Sequence, residues 1–456
     1  MPTIGLSMIV KNAADTIAPC LESVRGFVDQ IVIADTGCTD NTCDIAREFG
    51  AIIVSSPWEN HYAKARNAAL QPVTTDWVLV LDADEELDRE AKKKIPQLMS
   101  AADVGGYSTP IHNYVPGGFY RGWDRVAVPN DRCHERAKDA PAFFVHENVR
   151  FFRRHPEIYF IGRVHENVEY RLKALGLRFP LANFFIHHFG QLTGHDNRER
   201  KGAYYLELLR LKVEDDPNDA LAWIQLGLQE YEYSKNPKEA LRCLERGVIL
   251  EPRASEAWLF KAMICVDLGK YEEALIAAEH DRREGQRAAL REQVRGDALH
   301  CLERFAEARV AFRRAIKLGG GDPLLESKLG YTEMKMGQKN TGLARLRRAA
   351  RAAPGMFAIH DNLMKACIMS GRLPEAAEVA EKLAQVAGHP QLFLRAASIY
   401  AQIERWEQAE RVLAEGLSRS PDSVELRSAH DEVANRMAER CHRPLESTQV
   451  IEETAH

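Results

Sequence analysis

Apolar positions along this chain follow two different periods. In the first ~110 residues, short apolar runs at 4–10, 30–34, 51–54 and 77–81 alternate with stretches at 14–25, 41–49 and 63–70 where apolar residues recur every three or four positions. The runs predict strands and the stretches predict helices. Their alternation predicts an α/β domain with a Rossmann-like, mostly parallel sheet. The run Trp77-Val78-Leu79-Val80-Leu81 has no polar break, as a central strand covered on both faces requires. It stops at Asp82-Ala83-Asp84-Glu85-Glu86. After the second run comes Asp35-Thr36-Gly37-Cys38-Thr39-Asp40-Asn41, where Asp40 or Asn41 would cap the next helix. From 105 to 190 the pattern is irregular and rich in aromatic, Arg and His residues, which predicts substrate loops on a rigid scaffold.

From about Ala203 the period becomes helical and repeats. Ala240, Ala274, Ala308, Gly342 and Ala376 are spaced by 34 residues, and Ala409 falls one short of the next step. Gly269, Gly337 and Gly371 each stand five residues before the small residue of their repeat, and Pro252, Pro354 and Pro421 twelve after. Small residues let paired helices approach closely, and a 34-residue period resembles tetratricopeptide repeats. The expected organisation is an α/β domain at 1–202 (with loops at 105–190), an all-α solenoid of about six repeats at 203–425, and a capping helix with a loose tail at 426–456.

Charge adds little to this picture. Lys+Arg of 61 against Asp+Glu of 66 leaves a net −5, so no overall field attracts nucleic acid. Nine scattered cysteines without a C-x-x-C pair predict neither a disulfide framework nor a zinc site. No apolar run reaches the ~18 residues of a membrane span, and the N-terminus lacks the pattern of a signal peptide. These features predict a soluble cytoplasmic protein, with peripheral membrane contact left open.

Ligand sites in open α/β sheets lie at the carboxyl ends of the strands, where Asp82 and Asp84 fall. On an extended segment two residues apart, both carboxylates would point the same way. At ~4 Å they would repel by ~4 kcal/mol at an effective dielectric of ~20. A divalent cation removes that cost, and oxygen ligands suit Mg²⁺ or Mn²⁺. The competing reading is a strand end followed by an acidic helix cap.

Taken in order, Ile9-Val10-Lys11-Asn12, the Asp35–Asp40 turn, Ala65-Arg66-Asn67-Ala68-Ala69-Leu70 and the 77–86 segment resemble family 2 glycosyltransferases of the GT-A fold. The likeness is closest to the bacterial branch with a tetratricopeptide tail, which includes peptide S-glycosyltransferases of the glycocin type. It covers about residues 4–200. It implies that Asp35 contacts the nucleobase or ribose of a nucleotide sugar, with Lys11 beside it. It implies that Arg66 reaches the diphosphate or the sugar pocket. Asp84 would ligate Mn or Mg, and Asp82 would contact ribose or metal. The chain departs from the family at Ala13 and Ala14, where Glu is common.

A second cluster, Gly162-Arg163-Val164-His165-Glu166-Asn167, fits the same branch. An inverting transferase needs a base for its acceptor, and the resemblance implies Glu166, about 80 residues beyond the D-x-D motif. His165 would serve as metal ligand, diphosphate contact or partner to either. A near-copy, His146-Glu147, competes for this role, and at His187-His188 the later residue is favoured as the one closing over the donor. Arg121, Arg125, Arg132, Arg136, Lys138, Arg150, Arg153 and Arg154 bias the middle segment positive, for diphosphate or an anionic acceptor. Cys133-His134 lacks the context of a thiol nucleophile.

The expected activity is inverting transfer of a sugar from a nucleotide sugar, UDP-linked by preference, to a peptide or protein side chain held by the solenoid. A cell-envelope saccharide acceptor, or a non-catalytic scaffold with a degenerate transferase domain, are the alternatives. Repeat surfaces of this kind often dimerise, so a homodimer is also open.

Overall fold

A computed structural model describes residues 2–116, 121–122, 125–126, 128–131, 134–192, 198–285 and 287–441. Arg132, Cys133 and the tail at 447–456 lie outside the described residues, as do the side chains of Arg121 and Arg125. Two compact units divide the chain, Met1–Pro252 and Arg253–His456.

The first unit runs β1 (Ile4–Val10), α1 (Ala14–Ser23), β2 (Gln30–Asp35), α2 (Thr42–Glu48), β3 (Ile52–Ser55), α3 (Tyr62–Leu70), β4 (Trp77–Val80), β5 (Glu85–Leu87), α4 (Ala91–Leu98) and β6 (Gly106–Val115). The short strands β7 (Arg121–Gly122), β8 (Arg125–Val126) and β9 (Val128–Pro129) follow. It ends with β10 (Ala142–Arg153), α5 (Glu169–Ala174), β11 (Ile186–His188), α6 (Arg198–Asp215), α7 (Ala220–Glu232) and α8 (Pro237–Leu250). The main sheet has the order β3-β2-β1-β4-β10-β6-β11-β5. Strands β3, β2, β1 and β4 are parallel, as the alternating pattern predicts. Beyond β4 the sheet is mixed: β10 lies antiparallel to both β4 and β6, β11 parallel to β6, and β5 antiparallel to β11.

Every residue of β4 is buried, and its pleat explains the unbroken apolar run. Trp77 and Leu79 face the core shared with α1 and α4, including Ile17, Leu21 and Ile95. Val78 and Val80 face the opposite core, with Ala63, Leu70 and Leu172. The segment 105–190, read as irregular, supplies β6 and the twelve-residue β10. Polar residues His146, Glu147 and Asn148 interrupt the apolar alternation of β10, because its middle is only partly covered.

The second unit holds the helices α9 (Ser255–Asp267), α10 (Tyr271–His280), α11 (Arg287–Cys301), α12 (Phe305–Gly319), α13 (Pro323–Lys335), α14 (Lys339–Ala352), α15 (Phe357–Met369), α16 (Leu373–Ala387), α17 (Pro390–Gln402), α18 (Trp406–Arg419) and α19 (Val424–Cys441). They form successive antiparallel pairs, each packed on the next. Ala274, Ala308, Ala376 and Ala409 are fully buried at the contacts the 34-residue period marks. Gly269, Gly337 and Gly371 take left-handed φ values of +74°, +80° and +69° in the turn between paired helices. The equivalent positions Glu303 and Glu404 adopt the same conformation, both at +59°, without the freedom of glycine.

Candidate active site

Lys11, Asp35 and the Asp82–Asp84 turn all fall at the carboxyl ends of the parallel strands, where an open α/β sheet holds ligands. Strand β4 ends at Val80, so Asp82 and Asp84 lie in a turn rather than on an extended segment. Among the described residues their side chains do not share a hydrogen-bond partner. Asp82 faces two arginines: Arg66 Nη2 donates to Oδ1 at 2.8 Å and Arg150 Nη2 to Oδ2 at 3.0 Å. Asp84 faces His188, whose Nε2 lies 3.3 Å from Oδ2. The mutual repulsion expected from the sequence is thus relieved by arginines on one carboxylate and a histidine on the other.

Arg66 is the centre of the arrangement. It sits on α3, only 6% exposed, and its Nε donates to Glu166 Oε1 at 2.6 Å. Arg150 on β10 also meets Glu85 Oε1 at 3.2 Å, and Glu85 Oε2 accepts from the Asp82 amide at 2.8 Å. The result is an alternating chain Glu166–Arg66–Asp82–Arg150–Glu85. Burial alone would raise the Asp82 carboxyl, but Arg66 and then Arg150 hold it far below the usual carboxylate range. Burial pushes Glu85 the other way, up to about 7, against the pull of Arg150. Arg66 Nη1 and Arg150 Nε are buried with no hydrogen-bond partner among the described residues. Arg150 was visible only as one member of a basic run, and Glu85 only as the residue after the D-x-D motif.

All of these but Glu85 border a cavity of about 550 Å³ that Lys11, Arg66, Asp82, Asn148, Arg150, His165 and Glu166 line together. Its aromatic wall is Trp58, Tyr62, Tyr204 and Tyr205, the last two from α6. Tyr204 donates to Asn60 Oδ1 at 2.8 Å and meets Trp58 Nε1. No sequence signal marked these four rings. His165 stacks on Tyr205 with ring centres 6.0 Å apart. The near-copy pair is placed differently: His146 and Glu147 stand in the middle of β10, opposite Ile111 and Pro110, and do not line the cavity.

Asp35 ends β2, and its Oδ1 accepts from the Gly37 and Cys38 amides at 2.9 and 2.7 Å. Burial would raise this carboxyl, but those amides outweigh it and keep the group ionised. Among the described residues, Asp35, Cys38 and Cys43 form a group of potential ligand atoms within 4.8 Å of one another. Burial pushes the Cys38 thiol up to about 12, which suits neither Mg²⁺ nor Mn²⁺. The fit for such an ion is better at Asp84 and His188. Asn113 Oδ1 holds His188 Nδ1 at 2.6 Å and turns Nε2 toward Asp84, and both side chains are about one third exposed (27% and 32%). Magnesium typically takes one or two protein ligands and fills its shell with phosphate and water. The Asp84 hydrogen bond outweighs burial and raises the His188 imidazole. His187 points elsewhere, to the Tyr114 hydroxyl at 2.8 Å.

The basic residues of the middle segment have separate tasks. Arg136 pairs with Glu86, and Lys138 with Glu135. Arg153 donates to the Val104 and Ala101 carbonyls, and Arg154 to that of Val73.

The family model "Glycosyl transferase family 2" matches residues 6–159. A "Tetratricopeptide repeat" model matches 226–281, and a "Tetratricopeptide repeat-like domain" model matches 257–334. A TPR repeat-containing protein of Synechococcus elongatus is 30% identical over 332 residues, covering 70% of this chain and 73% of that one. The SPbeta prophage-derived glycosyltransferase SunS of Bacillus subtilis is 23% identical, and the match spans 54% of this chain and about half (53%) of SunS. An uncharacterized glycosyltransferase of Rickettsia felis is 34% identical over 24% of this chain and 38% of its own length. Among the described residues, no helix is long and apolar enough to cross a membrane.

Proposed function

We propose that this chain, which belongs to the family 2 glycosyltransferases that carry tetratricopeptide repeats, moves a sugar from a UDP-linked donor to a peptide or protein side chain with inversion. The observation that carries the reading is the bridge made by Arg66, which joins the acid after β4 to the loop glutamate across one cavity. That is where a diphosphate, a sugar and an attacking acceptor would have to meet.

Each residue then has a task. Lys11 and Asp35 take the nucleoside end of the donor. Arg66 fixes Glu166 through Oε1, and the Glu166 carboxylate accepts the acceptor proton as the nucleophile attacks C1. Asp84 and His188 would hold a divalent cation, Mn or Mg, which when bound would supply positive charge against the departing diphosphate. His165 orients the sugar or diphosphate beside Glu166. The aromatic wall excludes water and stacks against the donor or acceptor. Residues 1–202 carry the chemistry, 203–425 the repeats that recruit the protein acceptor, and 426–456 the cap, with α6 reaching back across the first boundary.

A thermal-shift screen of UDP-, GDP- and dTDP-sugars with Mn²⁺ tests the donor, with Asp84→Ala as control. A donor at about 100 times its Kd adds ~2.7 kcal/mol of stability. No shift with any sugar nucleotide, or an equal shift in the control, rejects the reading. Mass spectrometry of co-expressed neighbouring gene products for a hexose-sized gain tests the acceptor, and a gain on saccharide alone moves the assignment to cell-envelope glycans.

A further inference from the structure

We infer that helix α6 locks the loop that carries His165 and Glu166, and that Asp215 and Arg163 are positioning residues for the transfer step. The inference rests on the reading of Glu166 as the base.

The loop closes at its neck, where Ile161 and Asn167 exchange backbone hydrogen bonds of 3.0 and 3.2 Å. Asn67 on α3 grips that neck by accepting from the Phe160 amide at 2.8 Å and donating to its carbonyl at 3.0 Å. Beyond the neck the backbone is unusual. Gly162 has φ +109° and His165 has φ +53°. The second is a left-handed conformation in a residue with a Cβ, which persists only where the surroundings impose it.

Around the start of α3, the Tyr62 amide donates to the Arg163 carbonyl at 2.8 Å and the Asn60 carbonyl accepts from Arg163 Nη1 at 3.1 Å, and the remaining contacts come from one face of α6. Asp215 accepts from Arg163 Nε and Nη2 at 2.7 and 2.9 Å. Val164 is buried in a cluster with Leu209 and Val213. Lys212 Nζ reaches the Val164 carbonyl at 3.5 Å. Tyr205 stacks on His165 itself. Positions 205, 209, 212 and 215 recur at three- and four-residue steps, so they share a face of the helix. Three consecutive loop residues, Arg163, Val164 and His165, are therefore held from α6, while Arg66 holds the next, Glu166, from α3. Asp215 is about half exposed and does not line the cavity, so it acts only through the loop.

The test compares full-length wild type with Asp215→Ala and with the charge swap Arg163→Asp/Asp215→Arg. Three quantities are read: amide exchange at 161–167, affinity for UDP with Mn²⁺, and release of nucleotide diphosphate from a panel of UDP-, GDP- and dTDP-hexoses. In Asp215→Ala, exchange of the loop amides should accelerate roughly tenfold or more. Turnover should fall about tenfold or more while donor KM and UDP affinity stay within about twofold. The swap should recover at least about half of the lost turnover. Unchanged loop exchange, a turnover loss matched by lost UDP affinity, or a swap that recovers nothing overturns the inference. A wild type that turns over no sugar nucleotide overturns the transferase reading together with the catalytic part of this one. An active wild type with undisturbed exchange in Asp215→Ala overturns this inference alone.

Discussion

Arg66 Nε and Glu166 Oε1 meet at 2.6 Å across one hundred residues of sequence, and the same guanidinium holds Asp82 at 2.8 Å. One planar group satisfies two partly buried acids because its donors diverge at fixed angles. Arg66→Ala should therefore leave Glu166 without its arginine and Asp82 with Arg150 alone, and lower stability by about 1–3 kcal/mol. Arg66→Lys should recover little, since an ammonium is a point charge and cannot reproduce the fork. Urea unfolding of the three proteins, followed by circular dichroism, checks both statements.

The two acids of the D-x-D motif should fail differently. Asp84→Ala and His188→Ala should raise the Mn²⁺ concentration needed for half-maximal donor binding by about tenfold or more, with near-native melting temperatures. Asp82→Ala should instead destabilise the fold, because Arg66 and Arg150 lose their shared counter-ion. Metal titrations by calorimetry beside thermal melts separate the two outcomes.

Acid sensitivity has a source outside the cavity. His112 stacks between Phe143 and Phe185, with ring centres 4.2 and 4.1 Å away. Burial, then the charge of His187, lowers its imidazole from 6.5 to about 4, with Asp131 and Asp88 pulling the other way. The folded state thus binds fewer protons than the unfolded chain between these values. This contribution to stability is fully present above pH 6.5 and is lost as pH falls toward about 4. His112→Phe keeps the stack and should flatten that part of the stability–pH curve, measured by urea midpoints from pH 7 to 4.

Glu303 occupies a left-handed turn (φ +59°) where three other repeats use glycine. Glu303→Gly should therefore stabilise the second unit, by ~1 kcal/mol at most. The change should be visible as a higher melting temperature in calorimetry.

How far the sequence could be read depended on whether the governing contacts were local. The β4 run and the 34-residue period are local signals, and both were legible because each position reports its own burial. The repeat turn was legible where Gly269, Gly337 and Gly371 stand, and hidden where Glu303 and Glu404 do the same job. Strand β10 was not legible, because polar residues at 146–148 break its alternation and its neighbours β4 and β6 are distant in the chain. For the same reason Arg150 looked like one member of a basic run rather than the counter-ion of Asp82. Reasoning from like charges on an extended strand missed the turn after Val80, which sends Asp82 and Asp84 to different partners.

The place of β10 also orders events during synthesis. Strands β1 to β4 emerge first and form a parallel half-sheet, yet the next neighbour of β4 arrives more than sixty residues later. Until then β4 is an open edge of buried-type side chains, the kind of surface that nascent chains mispair through. The same late strand brings Arg150 to Asp82, so the ribosome delivers the repair of the exposed edge and the second arginine of that carboxylate in a single segment.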